Sequence, residues 1–253
     1  MVTLRIDDIG ASAKWYEHRV RFHAVILGKT IRLPGVLNIG PLKTSRLWGG
    51  WAVYDELEPS EWEDIMAVLE KYGVKPLVAI TACWVERDSR LIPFPERFPD
   101  EALWLKKRLQ EGKIKIANHG LTHCVLGKHQ PRFFGSNQRF WREFYPFLEN
   151  SIHEEHVSRS QDILQQFFEE PVTVFVPPGN IWCQATYRAL KRHGIRTVIA
   201  GRYMADSEEP MEDIEFVQDR EMALNIHDRE LKLHGASWLD ETLRLSCQDK
   251  TPA

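Results

Sequence analysis

Four short stretches constrain the fold of this chain, because each directly follows a run of residues typical of a β-strand. They are Asp7-Asp8, His119 to His123, Pro177 to Gly179, and His227-Asp228. Active sites of parallel α/β folds lie at the carboxyl ends of their strands. The four stretches are therefore expected to meet at one end of a parallel sheet.

The rest of the chain alternates strand patterns with helix patterns. Strands are predicted over residues 2–6, 75–82, 113–117, 172–176, 196–200 and 222–226. Helices are predicted over about 60–72, 100–111, 152–168 and 184–193, with a capping box formed by Ser60 and Glu63. This alternation favours a parallel α/β barrel or an open sheet, in one domain spanning 1–253. Residues 24–50 show a mixed pattern without an assigned element.

Composition argues against several classes of protein. The net charge is −3 and no run of Lys and Arg occurs, which argues against a nucleic-acid partner. No stretch approaches the roughly 18 apolar residues of a transmembrane segment. The first strand leaves no room for an export signal, and the four scattered cysteines contain no CxxC pair. A cytoplasmic protein with reduced thiols is expected.

Asp7 and Asp8 are neighbours, and neighbours on a regular strand point to opposite faces. Both carboxylates can serve one site only where the strand ends, and Ile9-Gly10 is a plausible end. The alternative interpretation is a pair of exposed turn carboxylates, or an N-cap for a following helix.

His119 and His123 lie four residues apart, which places both imidazoles on one helical face if a helix begins after Asn118. Two His and one carboxylate form a ligand set used by catalytic zinc and by non-haem iron, with Asp8 as the third ligand. The alternative is a pair of buried, hydrogen-bonded histidines. His153 and His156 form a rival pair at spacing three on a charge-rich helix.

His227 ends a strand, where an imidazole with an ordinary pKa of about 6.5 is suited to donate a proton. A strand-end histidine with only a structural partner is the alternative. His193, at a predicted helix C-terminus, illustrates such a structural position.

In this order, the four stretches resemble the motifs of the polysaccharide deacetylase family (carbohydrate esterase family 4, with the NodB homology domain). The resemblance implies a distorted parallel (β/α) barrel of about seven strands. The opening RIDDIGAS is more narrowly similar to intracellular deacetylase-like proteins of O-antigen biosynthesis, the WbmS type.

Carried over by position, the resemblance implies that Asp7 is the general base and His227 the general acid. Asp8, His119 and His123 would hold one divalent metal ion, with zinc expected. The predicted substrate contacts are Pro177, Pro178, Gly179, Trp182 and Arg139.

The activity implied is metal-dependent removal of an N-acyl group, expected to be acetyl, from a sugar in cell-surface polysaccharide or O-antigen biosynthesis. One form of this hypothesis has the N-acylated sugar linked to a nucleotide or lipid carrier. Two alternatives remain: a hydrolase of another amide, such as a formyl-sugar or a cyclic amide, and a catalytically silent carbohydrate-binding or assembly protein. A homo-oligomer is left open.

Two departures from the family pattern affect the neighbours of the catalytic residues. Val176 stands where the family has an Arg that contacts the catalytic Asp, and Arg5 and Arg202 are the candidates to replace it. The Asp that usually braces the catalytic His is not identifiable. Asp206 and Asp219 are the candidates for that role.

Residues 129–147 concentrate seven aromatic side chains and three arginines, Arg132, Arg139 and Arg142. We interpret this segment as an insertion that covers the groove and holds a carrier phosphate through its arginines. The alternative is a helical insert that packs its aromatic side chains on the barrel or on another subunit, and it is the favoured one because aromatic clusters usually belong to a core.

Overall fold

The computed structural model describes residues 4–14, 21–26, 29–34, 56–129, 142–219 and 224–248. Seven strands form one sheet in which every neighbouring pair is parallel. In sheet order they are β10 (Glu215–Gln218), β9 (Thr197–Ala200), β8 (Val174–Phe175), β7 (Lys115–Asn118), β4 (Leu77–Ile80), β1 (Leu4–Ile9) and β11 (Leu224–His227). Two antiparallel hairpins pair β2 (Arg21–Ile26) with β3 (Lys29–Pro34), and β5 (Cys83–Val85) with β6 (Leu91–Pro93).

Helices connect most of the parallel strands, as the alternating pattern predicted, whereas residues 201–214 between β9 and β10 contain no helix. They are α1 (Pro59–Lys71), α2 (Phe94–Arg97), α3 (Pro99–Gln110), α4 (Asn150–Phe168), α5 (Gln184–Arg192) and α6 (Asp228–Gln248), the last interrupted at Gly235. The predicted elements are confirmed to within a few residues at each end.

The predicted capping box of Ser60 and Glu63 is wrong. The helix α1 begins at Pro59, whose fixed φ favours the first helical position and whose missing N–H costs nothing there. Glu58 is therefore the N-cap residue, and its N–H donates to the Glu61 carboxylate at 2.8 Å. The box uses the same spacing of three residues, displaced by two.

The sheet curls into a distorted barrel, as one long-range ion pair demonstrates. Arg5 in β1 pairs with Asp219, the residue after β10, and its Nη1 lies 3.5 Å from the carbonyl oxygen of Ile199 in β9. A flat sheet would separate β1 from β10 by five strand spacings, about 24 Å, which no arginine can reach. The strands must therefore curve around a shared interior, so the barrel of about seven parallel strands is confirmed.

The interior of this barrel is narrow and is filled by a small apolar cluster of Leu77, Ala79, Ala117, Val176 and Ile199. A larger apolar cluster lies between the sheet and the helices on the outside. Along β1, Leu4 and Ile6 belong to the outer cluster, so the alternating residues Arg5 and Asp7 face inward. Two charged side chains thus lie inside the barrel, where each needs a partner.

One buried carboxyl group outside the barrel lacks such compensation. Trp62 donates its indole N–H to Glu101 Oε1 at 2.8 Å, and Oε2 has no hydrogen-bond partner among the described residues. Burial, together with the negative charge of Glu56, raises the pKa of Glu101 well above its ordinary value of 4.5. The folded protein therefore keeps this carboxyl protonated at pH values where the unfolded chain ionises it.

We expect Glu101→Gln to remove a pH dependence of stability. The native state binds one more proton than the unfolded state above pH 4.5, so wild-type stability falls as the pH rises towards the native pKa. Glutamine keeps the acceptor for Trp62 and cannot ionise. Urea unfolding between about pH 5 and pH 8 should show that the free energy of unfolding of the variant rises relative to that of the wild type, by up to about 1.4 kcal/mol per pH unit. Glu155→Gln on the exposed face of α4 is the control, and parallel curves for Glu101→Gln and wild type would contradict the prediction.

Two glycines with the same backbone angle separate strain from crowding. Gly10 and Gly127 both have φ +74°, but a Cβ at Gly10 would lie 2.7 Å from Phe94 Cδ2, whereas nothing lies within 4 Å at Gly127. Gly127→Ala should cost about 1–2 kcal/mol of left-handed strain. Gly10→Ala should cost roughly 1–3 kcal/mol more through overpacking. Equal losses in urea unfolding would show that the Phe94 contact is unimportant.

Candidate active site

The four stretches that were predicted to converge do lie together at the carboxyl ends of the parallel strands. β1 and β11 are adjacent and in register, with Asp7 opposite His227. The histidine stretch follows β7, which pairs with β4 on the other side of β1. The backbone of Val176, after β8, connects to β7 by a hydrogen bond to the Asn118 carbonyl oxygen at 2.9 Å. One edge of the sheet therefore carries all four.

A local irregularity in β1 explains how two adjacent carboxylates serve one site. The strand does not end before the pair but continues to Ile9, and its register with β4 shifts between Ile6 and Ile9. Asp8 has φ +71°, a left-handed conformation that a non-glycine residue rarely adopts. This bulge turns Asp8 out of the regular alternation, so that both side chains face the same end of the barrel.

The condition that a helix begins after Asn118 is not met. Residues 119–124 form an irregular loop in which Gly120 has φ +82° and His123 has φ +60°, neither of which an α-helix allows. The two imidazole rings nevertheless lie close, with centroids 5.0 Å apart. The loop therefore achieves the convergence that helical spacing was expected to supply.

Side-chain acceptors hold this loop in place of helical hydrogen bonds. The N–H groups of Leu121, Thr122 and His123 donate to the Glu143 carboxylate at 2.8, 3.2 and 2.8 Å. The Gly120 N–H donates to Asn118 Oδ1 at 2.8 Å. Because these donors are already satisfied, the chain has no need to continue as a helix. Sequence reasoning missed Glu143, which lies 20 residues from the histidine that it supports.

Asp8, His119 and His123 form a buried three-residue cluster whose ligand atoms all lie within 4.8 Å of one another. Asp8 Oδ1 is 3.3 Å from His119 Nε2 and 3.1 Å from His123 Nε2. His119 Nδ1 lies 2.7 Å from the Val176 carbonyl oxygen, so Nδ1 carries the hydrogen and donates it. Nε2 then presents a lone pair towards the Asp8 carboxylate, an arrangement that a cation between them reconciles. The donor set fits a divalent metal ion.

Asp8 is ionised in this environment. Burial opposes ionisation, but it is outweighed by other interactions, of which the positive charge of His227 is the largest. The pKa of Asp8 is therefore held well below its usual range. An ionised carboxylate in a buried site has the strongest attraction for a cation.

Arg5 supplies the positive charge that Val176 cannot supply. Its Nη2 and Nε donate to Asp7 Oδ2 at 2.8 and 3.1 Å, and its other face pairs with Asp219. Arg202, the other candidate, has an exposed side chain. Asp7 Oδ1 has no hydrogen-bond partner among the described residues. One oxygen of Asp7 is thus fixed by Arg5 while the other stays unpaired.

His227 is accompanied by Glu230 rather than by either predicted aspartate. Glu230 Oε2 accepts the His227 backbone N–H at 2.9 Å and lies 3.5 Å from ring Nδ1, an ion-pair distance rather than a hydrogen bond. Asp219 pairs with Arg5, and Asp206 accepts the Gln184 N–H, so both candidates were wrong. A Glu three residues after a strand-end His, in the first turn of α6, is the signal that could have found it.

The charges around His227 favour its protonated form. Burial alone would lower the pKa of the imidazole, but the charge of Asp8 and the nearby Glu230 carboxylate outweigh it. Together they raise the pKa of His227 to about 9.

A buried charged triad supports the backbone on either side of the site. Lys14 Nζ lies 2.7 Å from Glu56 Oε1 and also pairs with Asp228, the residue after His227. Glu56 in turn accepts the Gly10 N–H at 3.1 Å. Burial alone would lower the pKa of Lys14, but the charges of Asp228 and Glu56 raise it. The triad therefore ties the end of β1 to the start of α6.

The rival histidine pair lies in α4 and serves the structure. His153 Nδ1 is 2.9 Å from Thr186 Oγ1, and His156 Nδ1 is 2.7 Å from Glu143 Oε1. Within the described ranges, neither joins a group of three metal-ligating side chains.

The residues predicted to contact substrate have different positions. Pro177 and Pro178 are buried, and Gly179 has φ +57° beneath the Arg142 guanidinium. Trp182 has no exposed surface: it packs between Tyr203 and Phe216 and donates its N–H to the Arg202 carbonyl oxygen. The predicted contact of Trp182 with a sugar is therefore wrong, because its ring belongs to the core. Arg139 and Arg132, with most of the segment 129–147, lie outside the described residues.

Two further observations concern membrane-spanning helices and the state of the cysteines. Among the described residues, no helix is both long and apolar enough to cross a membrane. All four cysteines are described, and each is a free thiol.

Comparison with known proteins gives one family and several distant structures. The polysaccharide deacetylase family matches residues 51–198, which leaves Asp7, Asp8 and His227 outside the matched range. No curated protein sequence matches the chain.

Among solved structures, BA3943 of Bacillus anthracis, described as a CE4 family pseudoenzyme, is 12% identical with a TM-score of 0.45. The match covers 77% of this chain and 58% of that protein, so the chain spans less than two thirds of its length. IcaB from Ammonifex degensii is 15% identical, with 74% and 70% covered and a TM-score of 0.42. A family 4 acetyl xylan esterase from Clostridium thermocellum, in complex with cobalt, is 10% identical, with 78% and 82% covered and a TM-score of 0.46.

The family match covers more than half of the 253 residues, including both histidines of the buried cluster. The chain belongs to the polysaccharide deacetylase family.

Proposed function

We propose that this chain is a metal-dependent N-deacetylase that removes an acyl group, expected to be acetyl, from an amino sugar. Asp8, His119 and His123 hold one divalent ion in this proposal, with zinc as the expected metal. The observation that carries the proposal is the arrangement of these three ligand atoms within 4.8 Å, beside a buried carboxylate and a strand-end histidine.

When bound at this site, a divalent cation supplies Lewis-acid activation of water and stabilises negative charge on the amide oxygen. Asp7 accepts the proton of the attacking water at Oδ1, the oxygen without a hydrogen-bond partner among the described residues. Arg5 keeps Oδ2 occupied, which fixes the orientation of the carboxylate. The base therefore acts through one defined atom.

His227 donates the proton that the departing amine needs. It lies on the strand next to Asp7 and in register with it, so the two side chains flank the same position at the sheet end. Glu230 holds the His227 backbone and faces its ring. The acid and the base are thus carried by adjacent strands.

Arg5 favours the enzyme over a catalytically silent binding protein. Val176 in the family's arginine position is the feature that would suggest lost activity. The Asp7 contact is supplied instead by Arg5, two residues before it on the same face of β1. An arginine that fixes one oxygen of Asp7 supports the role of Asp7 as the base.

A carrier-linked substrate is supported by Arg142. Its guanidinium lies against Gly179 in the turn after Pro178, and no ion pair of Arg142 with a described carboxylate is formed. An arginine in this position suits a phosphate of a nucleotide or lipid carrier. We propose such a donor in O-antigen or cell-surface polysaccharide assembly, of the WbmS type. The free thiols support a cytoplasmic site for that assembly.

The test of the proposal is metal content and turnover together. Purified protein should hold about one equivalent of zinc or another divalent metal, and His119→Ala should lose it. His234→Ala, in α6 away from the cluster, is the matched control. A wild type that stays metal-free after loading would exclude this function.

We expect Asp7→Asn to separate catalysis from metal binding. The amide cannot accept the proton of water, so turnover of an N-acetylated sugar should fall by roughly 10²–10⁴-fold. Elemental mass spectrometry should show unchanged metal content, because Asp7 is not in the ligand cluster. A panel with formyl-sugars and cyclic amides distinguishes the amide class. Full activity of the variant would remove Asp7 from the mechanism.

We expect Arg5→Met to destabilise the fold strongly. It would leave Asp7 and Asp219 facing each other in the barrel without a counter-charge, at a cost of about 3–5 kcal/mol. Arg5→Met combined with Asp219→Asn should recover part of this loss. Urea unfolding measures both, and Arg188→Met on the exposed surface of α5 is the control. A loss below about 1 kcal/mol would contradict an interior ion pair.

A further inference from the structure

Glu143 has an unusual number of donors for a side chain with no solvent exposure. Its two oxygens accept three consecutive backbone N–H groups of the histidine loop, from Leu121 to His123. His156 of α4 adds a fourth contact at 2.7 Å to Oε1. The side chain itself is 0% exposed. Consecutive N–H groups that converge in this way form an anion-binding nest, and Glu143 occupies it.

The loop is shaped around this carboxylate at close range. A Cβ at Gly120 would lie 2.2 Å from Glu143 Oε2, so the loop approaches as closely as a glycine permits. His123 adopts φ +60° at the end of the nest, and His119 begins the loop. The two residues that aim Nε2 at Asp8 are therefore the two ends of the segment that encloses Glu143.

Backbone hydrogen bonds also hold the first half of the loop, because the carbonyl oxygens of Gly120 and Leu121 accept the N–H groups of residues 82 and 83 at 2.9 and 2.8 Å. His119 Nδ1 is bound by the Val176 carbonyl oxygen, which fixes that ring. His123 Nδ1 has no hydrogen-bond partner among the described residues. The direction of the His123 imidazole therefore depends on its backbone, whose N–H donates to Glu143.

We propose that Glu143, oriented by His156, is the positioning residue of the metal site, an inference that rests on the metal-dependent function proposed above. The carboxylate sets the left-handed loop that brings His119 Nε2 and His123 Nε2 to Asp8. It does so without touching the metal, since Glu143 is not one of the clustered ligands.

Glu143 also joins the metal site to the turn from Pro177 to Gly179, which is predicted to contact the substrate. It directly follows Arg142, whose guanidinium lies against Gly179, so two successive side chains contact the histidine loop and this turn. A shift of this backbone would move both. The geometry of the metal site and the placement of Arg142 are therefore coupled.

The test uses Co²⁺ as the probe, because its visible absorption spectrum reports ligand geometry independently of turnover. Glu143→Gln keeps the shape of the side chain but presents an NH₂ group to backbone donors. Co²⁺ affinity should fall by about 10–100-fold, with an altered spectrum. Glu143→Asp, which restores the charge, should recover part of the affinity. Glu155→Gln on the exposed face of α4 should match the wild type.

His156→Ala keeps the test decisive if Glu143→Gln does not fold. His156 contacts the carboxylate rather than the loop, so its loss should weaken Co²⁺ binding by about 10-fold and shift the spectrum. His156→Asn places an N–H near the position of Nδ1 and should restore both.

The outcomes separate the inference from the function beneath it. A wild type that binds no Co²⁺ overturns the metal site and this inference together. A wild type that binds Co²⁺, with folded Glu143 and His156 variants of unchanged affinity and spectrum, overturns only the positioning role. A third outcome is weaker Co²⁺ binding with an unchanged spectrum, together with a melting temperature that falls in proportion to the loss of affinity. This outcome would assign Glu143 to stability alone and would also overturn the positioning role.

Discussion

The curvature of the sheet and the orientation of Asp7 both depend on a single buried arginine. Arg5 lies inside the barrel with 1% of its surface exposed, and removing a guanidinium from water is costly unless carboxylates accompany it. Asp7 comes from the same strand and Asp219 from the opposite side of the barrel. The arginine therefore links the curvature of the sheet to the orientation of the carboxylate at its end.

Other buried or half-buried carboxylates near the site also have two roles, because they accept hydrogen bonds from the backbone as well as pairing with charged side chains. Glu143 gathers three loop N–H groups, Glu56 receives the Gly10 N–H, and Glu230 receives the His227 N–H. Each accepts backbone N–H groups from a residue with a predicted functional side chain or from one within two positions of it. Irregular backbone at a sheet end requires such acceptors, since no helix or strand ladder satisfies its donors. The carboxylates thus replace regular secondary structure where the site needs unusual angles.

Much of the fold was predictable because it depends on local pattern. Strand and helix alternation, the glycines that end helices, and polar residues at strand ends are read directly from neighbouring residues. The convergence of Asp8, His119 and His123 followed from the rule that parallel strands end on one side. The loop that carries the histidines was not predictable from a spacing of four, since both a helix and this loop bring the rings together.

Glu143 and Asp219 act on residues 20 and 214 positions away, a relation that exists only after folding. Trp182 was misassigned because an aromatic residue that follows the Pro177–Gly179 turn can either contact a substrate or pack in the core, and the sequence does not distinguish the two.

The register of β1 with β11 has a consequence for how this site can vary. Asp7 and His227 sit opposite each other across one strand spacing, about 4.8 Å between backbones, held by a ladder of parallel hydrogen bonds. That spacing is common to all sheets and does not respond to changes in side-chain packing elsewhere. Loops around this end of the barrel can therefore change in sequence without altering the gap between the Asp7 and His227 backbones. Inserting or deleting one residue within Leu224–His227 would instead rotate the histidine to the opposite face of the sheet. The distance between the Asp7 and His227 backbones thus depends on the register of a four-residue strand and not on the loops around it.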